Sequence, residues 1–194
     1  MKAFPRYLDR IARVNGLTLP EGAAGNGPEP AGPEWIFYPG MLQDSLDKWW
    51  ADFGFRHACH EGIDICFYRT GNRISALAPG AKVPAMFGGT LVNVADDLLG
   101  KSMVVSYAPD GGEREAFVMV YAHLDVDPAM VPGAEIRPGQ VIARTFDTRI
   151  KKSKLLSHLH LSCIRVPRGL PPGQMNWSLF PDREKVVYIN PVFL

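Results

Sequence analysis

The chain has 194 residues, and its 21 Lys and Arg against 20 Asp and Glu give a formal net charge of +1. This length holds one domain with an appendage, and the balanced charge provides no field that would gather nucleic acid. The balanced charge therefore predicts no nucleic-acid partner. No apolar stretch approaches the roughly 18 residues of a membrane span, so we also expect no membrane-spanning segment. Hydrophobic residues make up 46% of the chain, which is enough for a folded core.

Two helices and an arm are predicted in the N-terminal part. Apolar residues at helical spacing predict a short amphipathic helix over residues 5–15. A Pro- and Gly-rich arm follows from Leu19 to Pro33. The stretch Asp44–Phe53 predicts a second helix that starts with an Asp N-cap. The side chains expected on its buried side are Leu46, Trp49, Trp50 and Phe53. We divide the chain into residues 1–34, a helix and arm, and residues 35–194, a β domain.

Short alternating runs between turns predict strands beyond Phe53. The runs are Ile63–Phe67, Val83–Val94, a hairpin over 102–124, Glu135–Ala143 with a Pro-Gly turn, His158–Val166 and Val186–Ile189. Since no helical pattern separates them, parallel βαβ winding is disfavoured. The predicted fold class is therefore mainly β, an antiparallel sheet or sandwich with short N-terminal helices. The stretches Pro79–Ala85 and Pro132–Pro138 resemble each other, which suggests two related β motifs.

The stretch His158-Leu159-His160 is one of two features that point to a metal. Alternate residues of a strand share a face and lie about 6.5–7 Å apart. His158, His160 and Ser162 are therefore expected on a polar face, with Leu159 and Leu161 towards the core. Two such imidazoles can converge on one ion, or one can bind the ion while the other reaches a bound water. Two solvated histidines on a strand fit the pattern equally well.

The second feature is His60-Glu61-Gly62-Ile63-Asp64. Imidazole nitrogen and carboxylate oxygen are good ligands for first-row metals. In a straight strand His60 and Asp64 would be about 13 Å apart, so we expect Gly62 to permit a bend or bulge that shortens the span. A helical zincin arrangement would need a helix through Gly62, which helix propensity opposes.

His123 closes the alternating run Phe117–Leu124, and alternation puts it on one face with Met119 and Tyr121. Taken alone, His123 is an ordinary histidine at a strand end. It becomes a candidate site residue because it would lie near the other three polar groups. His57 is predicted to be a plain loop histidine. Cys66 shares strand parity with Asp64 and is a possible substitute ligand, but a buried thiol is the stronger interpretation.

These residues, in this order, resemble the lysostaphin-type (LytM-like) zinc metallopeptidase family. The family pattern has H-x-G-x-D early, Y-x-H-L in the middle and H-L-H near the end. Here the three motifs stand at His60–Asp64, Tyr121–Leu124 and His158–His160, and the resemblance covers roughly residues 53–166. Three motifs in register are far more specific than any one of them.

The resemblance implies a compact antiparallel β core with a groove, so that residues 35–194 are expected to form a zinc metallopeptidase-like domain. It implies that His60, Asp64 and His160 bind Zn²⁺, and that His158 and His123 flank the catalytic water and the scissile carbonyl. The implied substrate is a peptide, typically a cross-link of bacterial cell-wall peptidoglycan. A periplasmic or extracellular location is expected from the family, although this chain has no recognisable signal peptide.

Two stretches depart from the family, namely the loop Arg149–Ser157, which replaces a Gly/Ser/Thr-rich loop, and the longer connection Tyr68–Leu77. The basic run Lys151–Lys154 is either a solvated loop or a lip for an acidic substrate. Two other functions stay open. One is a non-catalytic wall-binding scaffold or regulator of the same fold. The other is a histidine phosphocarrier like the glucose-type sugar-transport IIA domains, which share an H-x-G-I-D-like stretch.

Overall fold

The computed structural model describes residues 2–17, 32–107 and 115–194. These residues form one α-helix, α1 (Ala3–Val14), and twelve strands, whose pairings are all antiparallel. The strands are β1 (Glu34–Ile36), β2 (Ile63–Ile65), β3 (Phe67–Thr70), β4 (Arg73–Ala76), β5 (Lys82–Pro84), β6 (Gly89–Asp97), β7 (Gly100–Tyr107), β8 (Glu115–Asp125), β9 (Glu135–Ile136), β10 (Val141–Thr145), β11 (Leu159–Pro167) and β12 (Val187–Ile189). The predicted mainly β, antiparallel fold class is confirmed. None of the described helices is long and apolar enough to cross a bilayer.

Helix α1 confirms the first predicted helix. Phe4, Tyr7 and Ile11 recur at helical spacing and are buried in the main core. The helix ends before Gly16, whose φ of 64° lies in the left-handed region that glycine adopts without strain. Residues 18–31, which include most of the predicted arm, lie outside the described part of the chain.

The predicted helix over Asp44–Phe53 is wrong. Main-chain hydrogen bonds there cross a loop, from Lys48 N–H to the Gly54 carbonyl and from Arg56 N–H to the Leu46 carbonyl. Such bonds close a hairpin-like loop and leave no helical ladder. Leu46 and Phe53 are exposed, whereas Trp49 is buried. Contacts of Trp49 with the core therefore outweigh the helical spacing of the apolar residues.

The main sheet has nine strands and brings the motifs together. Its central order is β12-β11-β8-β7-β6-β9, and the remaining members are β2, β5 and β10. The predicted hairpin over 102–124 is the β7–β8 pair, with its turn outside the described residues. Strand β11 pairs with β2 on one side and β8 on the other, so that His160 lies opposite both Asp64 and Ala122.

The two faces of β11 pack against different cores, as its alternation predicts. Leu159, Leu161 and Cys163 lie in the main core with α1. Ile164 and Val166 lie in a second core on the other face, which the C-terminal segment covers with Phe180. The candidate residues His158, His160 and Ser162 are all buried. The expected polar stripe is therefore enclosed by protein.

Two Pro-Gly turns explain the internal similarity seen in the sequence. Gly80 (φ 76°) and Gly133 (φ 94°) each follow a proline and supply the positive φ that a type II turn requires. In both turns the N–H of the next alanine bonds back three residues, at 3.1 and 3.2 Å. Each turn leads into a short strand, β5 or β9. The longer connection at Tyr68–Leu77 is a hairpin, β3–β4, which forms a small second sheet with β1.

Candidate metal centre and cleft

Three potential metal ligands converge at the β2–β11 pairing. His60 Nε2 lies 3.0 Å from His160 Nδ1 and 3.1 Å from Asp64 Oδ1. The third side of this triangle, from His160 Nδ1 to Asp64 Oδ1, measures 2.9 Å. All three residues are buried, and their candidate ligand atoms lie within 4.8 Å of one another. Residues 100 positions apart thus form a group that can hold a metal ion.

Each of the three side chains is held by a separate partner on its far atom. The Leu42 carbonyl lies 3.1 Å from His60 Nδ1, where it accepts the ring proton. Ser162 Oγ lies 2.9 Å from His160 Nε2, and the Trp49 indole N–H donates to Asp64 Oδ2 at 2.6 Å. These tautomers leave lone pairs on the three atoms of the triangle. With these tautomers the three atoms suit a cation between them, and with the other tautomers the ring nitrogens hydrogen-bond to Asp64 Oδ1.

The charge states of the buried groups agree with this arrangement. Burial lowers the pKa of His160 and lowers that of His158 to about 4. Both imidazoles are therefore neutral at neutral pH in the metal-free protein. Burial alone would raise the pKa of Asp64, but the neighbouring histidines His60 and His158 hold it well below its usual value. The site then offers the neutral imidazole of His160 and the carboxylate of Asp64.

Gly62 allows two strands to approach each other closely. This close approach, and not the expected bend, is what requires a glycine there. A Cβ atom at this position would lie 2.4 Å from the Leu161 carbonyl oxygen and 2.9 Å from His160 Nε2. Its φ is not in the left-handed region. The missing side chain makes room for the His160–Ser162 hydrogen bond, and His60 reaches the site because it precedes the strand in a loop.

His158 lies beside the triangle, in the position immediately before β11. Its Nδ1 donates to the Leu156 carbonyl at 2.7 Å, which leaves the lone pair on Nε2. That nitrogen lies 3.6 Å from Asp64 Oδ1. The His158 ring packs edge-on against Trp49, with centroids 5.1 Å apart. A neutral imidazole with a fixed tautomer therefore stands next to the candidate metal group.

His123 also reaches the site, by a route that alternation does not predict. Lys101 pairs with Leu124 and Met103 with Tyr121, so β8 holds one extra residue opposite Ser102. This β-bulge gives His123 a φ of 64° and turns its ring away from the core face. The ring centroid lies 4.8 Å from that of His158. The prediction that His123 shares a face with Met119 and Tyr121 is wrong.

These groups lie in an open cleft of about 520 Å³. The cleft is lined by Trp50 of the irregular loop and by Trp177 of the C-terminal segment. Leu98 and Leu155 add apolar surface, and Arg56 adds a positive charge close to the site. A cleft with apolar walls and a few convergent polar groups is typical of a ligand-binding site.

The other sequence candidates lie at the rim or outside the cleft. His57 is an exposed loop residue at the rim, and Cys66 is a buried free thiol next to the Ser157 carbonyl, as predicted. Lys151 donates to the Leu98 carbonyl at 2.9 Å, and none of the described residues Lys151–Lys154 lines the cleft. The basic run thus forms no lip over the described site.

The sequence interpretation missed three residues around the site. Helical spacing places Trp49 in a helix that the structure does not contain, and the sequence gives no site role to Arg56, whose Nη2 lies 3.6 Å from Asp64 Oδ2. Asp97 contacts His123 from the end of β6. Nothing in the sequence distinguishes Asp97 from its exposed neighbour Asp96.

Comparisons with known proteins add one structural similarity. No family model matches the sequence, and no curated protein matches it. Among solved structures, the chain is similar to a mutant catalytic domain of the prophage-encoded M23 protein EnpA from Enterococcus faecalis. The identity is 16%, the alignment covers 82% of this chain and 95% of that chain, and the TM-score is 0.43. At this level of similarity, the function of the chain has to be inferred from its own side chains.

Proposed function

We propose that this protein is a zinc-dependent endopeptidase that cleaves peptide cross-links of bacterial cell-wall peptidoglycan. The observation that carries the proposal is the triangle of candidate ligand atoms from His60, Asp64 and His160, with sides of 2.9 to 3.1 Å. The substrate class follows from the resemblance of the three motifs to lysostaphin-type peptidases. The open cleft supports a substrate of peptide size.

The donor set fits zinc. Two imidazole nitrogens and one carboxylate oxygen are common zinc ligands, and three protein ligands leave the fourth position of a tetrahedron open, as in catalytic sites. Zinc bonds of about 2.0–2.1 Å in a tetrahedron separate ligand atoms by roughly 3.3 Å. The observed separations of 2.9 to 3.1 Å need to widen only by a few tenths of an ångström. A zinc ion held by these three residues would supply Lewis-acid chemistry, polarising a carbonyl group and lowering the pKa of a water molecule.

Two histidines of the chain would handle the proton and the developing charge. His158 accepts the proton of the attacking water at Nε2, because its Nδ1 is already committed to the Leu156 carbonyl. His123, whose ring lies 4.8 Å from that of His158, would donate a hydrogen bond from a protonated Nε2 to the oxygen of the scissile carbonyl. The apolar walls at Trp50 and Trp177 hold the peptide and exclude bulk water.

A non-catalytic wall-binding scaffold of the same fold is the second candidate. The loop that carries Trp50 also exposes Phe53 and Phe55, at 74% and 73%. Exposed aromatic side chains beside a cleft are typical of an interaction surface. Zinc-loaded protein that binds peptidoglycan without releasing any peptide fragment would favour this scaffold.

Two variants test the enzyme assignment. We expect His60→Ala to lose zinc and all cleavage, because it removes a ligand. We expect His158→Ala to keep one zinc and to lose about 10²- to 10⁴-fold in turnover, because it removes the general base. Metal content is measured by elemental analysis, and cleavage on purified peptidoglycan and on synthetic cross-link peptides. The rim variant His57→Ala serves as the control for metal content and keeps its zinc. Full cleavage after complete removal of metal by a chelator would contradict the proposal.

A further inference from the structure

Asp97, the last residue of β6, accepts four hydrogen bonds in a buried position. Its Oδ1 accepts from the Leu99 N–H at 2.7 Å and from His123 Nδ1 at 3.3 Å. Its Oδ2 accepts from the Ser102 hydroxyl at 2.7 Å and from the His123 main-chain N–H at 2.8 Å. The carboxylate is 1% exposed. Because each oxygen accepts two hydrogen bonds, the carboxylate is held in a single orientation.

Asp97 holds His123 by both its main chain and its ring. The main-chain bond fixes the bulge, in which His123 adopts a left-handed φ of 64° that costs a non-glycine residue about 1 kcal/mol or more. The ring bond places the proton on Nδ1 and leaves the lone pair on Nε2, at the far side of the ring. One carboxylate therefore determines where the imidazole stands and which nitrogen is free.

The carboxylate is anchored in turn from the wall of the cleft. The Trp177 indole N–H donates to Ser102 Oγ at 2.8 Å. Because that oxygen accepts from the indole, its own proton is directed to Asp97. The adjacent turn is held by Lys151, which donates to the Leu98 carbonyl. Asp97 is thus held through β7, β8 and the C-terminal segment, which is more support than the end of a strand needs.

We propose that Asp97 is a positioning residue for peptide cleavage, which holds His123 in the Nδ1–H tautomer with Nε2 free to act on the substrate. This rests on the proposed function, in which His123 acts at the scissile carbonyl. Before cleavage the imidazole takes up a proton from solvent on Nε2 and directs this N–H at the scissile carbonyl oxygen, and Asp97 stabilises the resulting positive charge. Asp97 is not part of the candidate metal group and acts through its hydrogen bonds to His123.

The first experiment reads the tautomer in the metal-free protein. Long-range ¹H–¹⁵N spectra at a pH where the imidazoles are neutral, assigned with a His123→Gln variant, are expected to give the Nδ1–H pattern for His123. Asp97→Asn is expected to shift this ring to a mixture of tautomers, whereas Asp96→Asn leaves it unchanged. Asp96 is a matched control because it precedes Asp97 on β6 and pairs with Lys101 at the surface.

The second experiment separates positioning from folding. In the zinc-loaded enzyme, Asp97→Asn is expected to keep its zinc and its KM and to lose about 10- to 100-fold in kcat. Asp96→Asn is expected to match the wild type. The positioning role is overturned if the spectra of the wild type show an Nε2–H tautomer for His123, and this outcome does not depend on how any variant folds. It is also overturned if Asp97→Asn loses only folding stability or keeps its kcat. If the wild type cleaves nothing, the proposed function fails, and the spectra still decide whether Asp97 holds His123.

Discussion

Trp49 is the residue that links the irregular loop to the candidate metal centre. Its indole N–H donates to Asp64 Oδ2, which leaves Oδ1 for the ion, and its ring supports His158. Partners of this kind orient a ligand and typically contribute 10- to 100-fold to metal affinity. We expect Trp49→Phe to keep the packing, to lose the hydrogen bond and to weaken zinc binding about 10-fold in a competition titration with a chelator.

Trp50→Phe is the matched control for that titration. The Trp50 ring lies next to Trp49 but has no hydrogen bond to Asp64 in the described structure. We expect the Trp50→Phe variant to have the same zinc affinity as the wild type. Equal zinc affinities for Trp49→Phe and the wild type would mean that the indole contributes packing alone.

At the scale of single residues, the sequence predicts the ligand atoms better than their supports. His60, Asp64 and His160 stand in short motifs whose residue types suit a metal, and the structure brings them together. Trp49 and Asp97 reach the site through a loop and a bulge, whose paths depend on tertiary contacts. The role of Gly62 is equally tertiary, since it depends on the strand that passes over it.

Among the elements, the loop over Asp44–Phe53 has the largest difference from expectation. Three of its non-glycine residues adopt left-handed φ values, namely Asp44 at 66°, Ala51 at 56° and Phe53 at 52°. Local propensity opposes each of them. The loop is held by its bonds across the turn and by the buried Trp49, so helical periodicity alone could not predict it.

The left-handed positions give a stability prediction. Ala51 is exposed, so Ala51→Gly removes steric strain and no packing, and we expect it to stabilise the protein by about 0.5–1 kcal/mol. Gly71 has the same φ of 56° with open space around it, so Gly71→Ala is the reciprocal change and should destabilise by about 1 kcal/mol. Urea unfolding of both variants measures the difference. An unchanged midpoint for Ala51→Gly would contradict the assigned conformation.

Strand β8 differs from expectation by a single residue. Its alternation holds from Phe117 to Tyr121, which is why the hairpin was predictable. The bulge at Ala122 and His123 then reverses the facing of everything that follows, and Leu124 packs in the main core. A glycine commonly marks such a position, but here the Asp97 hydrogen bonds support a histidine instead.

For the molecule as a whole, burial of neutral histidines makes the metal-free fold sensitive to acid. The pKa of His158 is lowered to about 4 in the folded chain, against an ordinary value of about 6.5. Between these two values the unfolded chain binds more protons, so stability rises with pH and is lost as pH falls from about 6.5 to about 4. The lowered pKa of His160 acts in the same direction.

We expect the free energy of unfolding of the metal-free protein to fall by roughly 3 kcal/mol between pH 7 and pH 4 through His158 alone. Urea unfolding at several pH values in this range measures it. His158→Gln, which cannot take up a proton there, is expected to flatten the dependence. A wild-type stability that stays constant from pH 7 to pH 5 would mean that His158 keeps its proton in the folded state.

Two of the four tryptophans touch the candidate metal centre. The Trp49 indole bonds to Asp64, and the Trp177 ring centroid lies 5.6 Å from that of His160. Indole emission depends on nearby charges and on the hydrogen bond of its N–H group. The molecule therefore contains its own fluorophores at the candidate metal centre. Metal binding there should change the intensity or the emission wavelength of the intrinsic tryptophan fluorescence, without any attached dye.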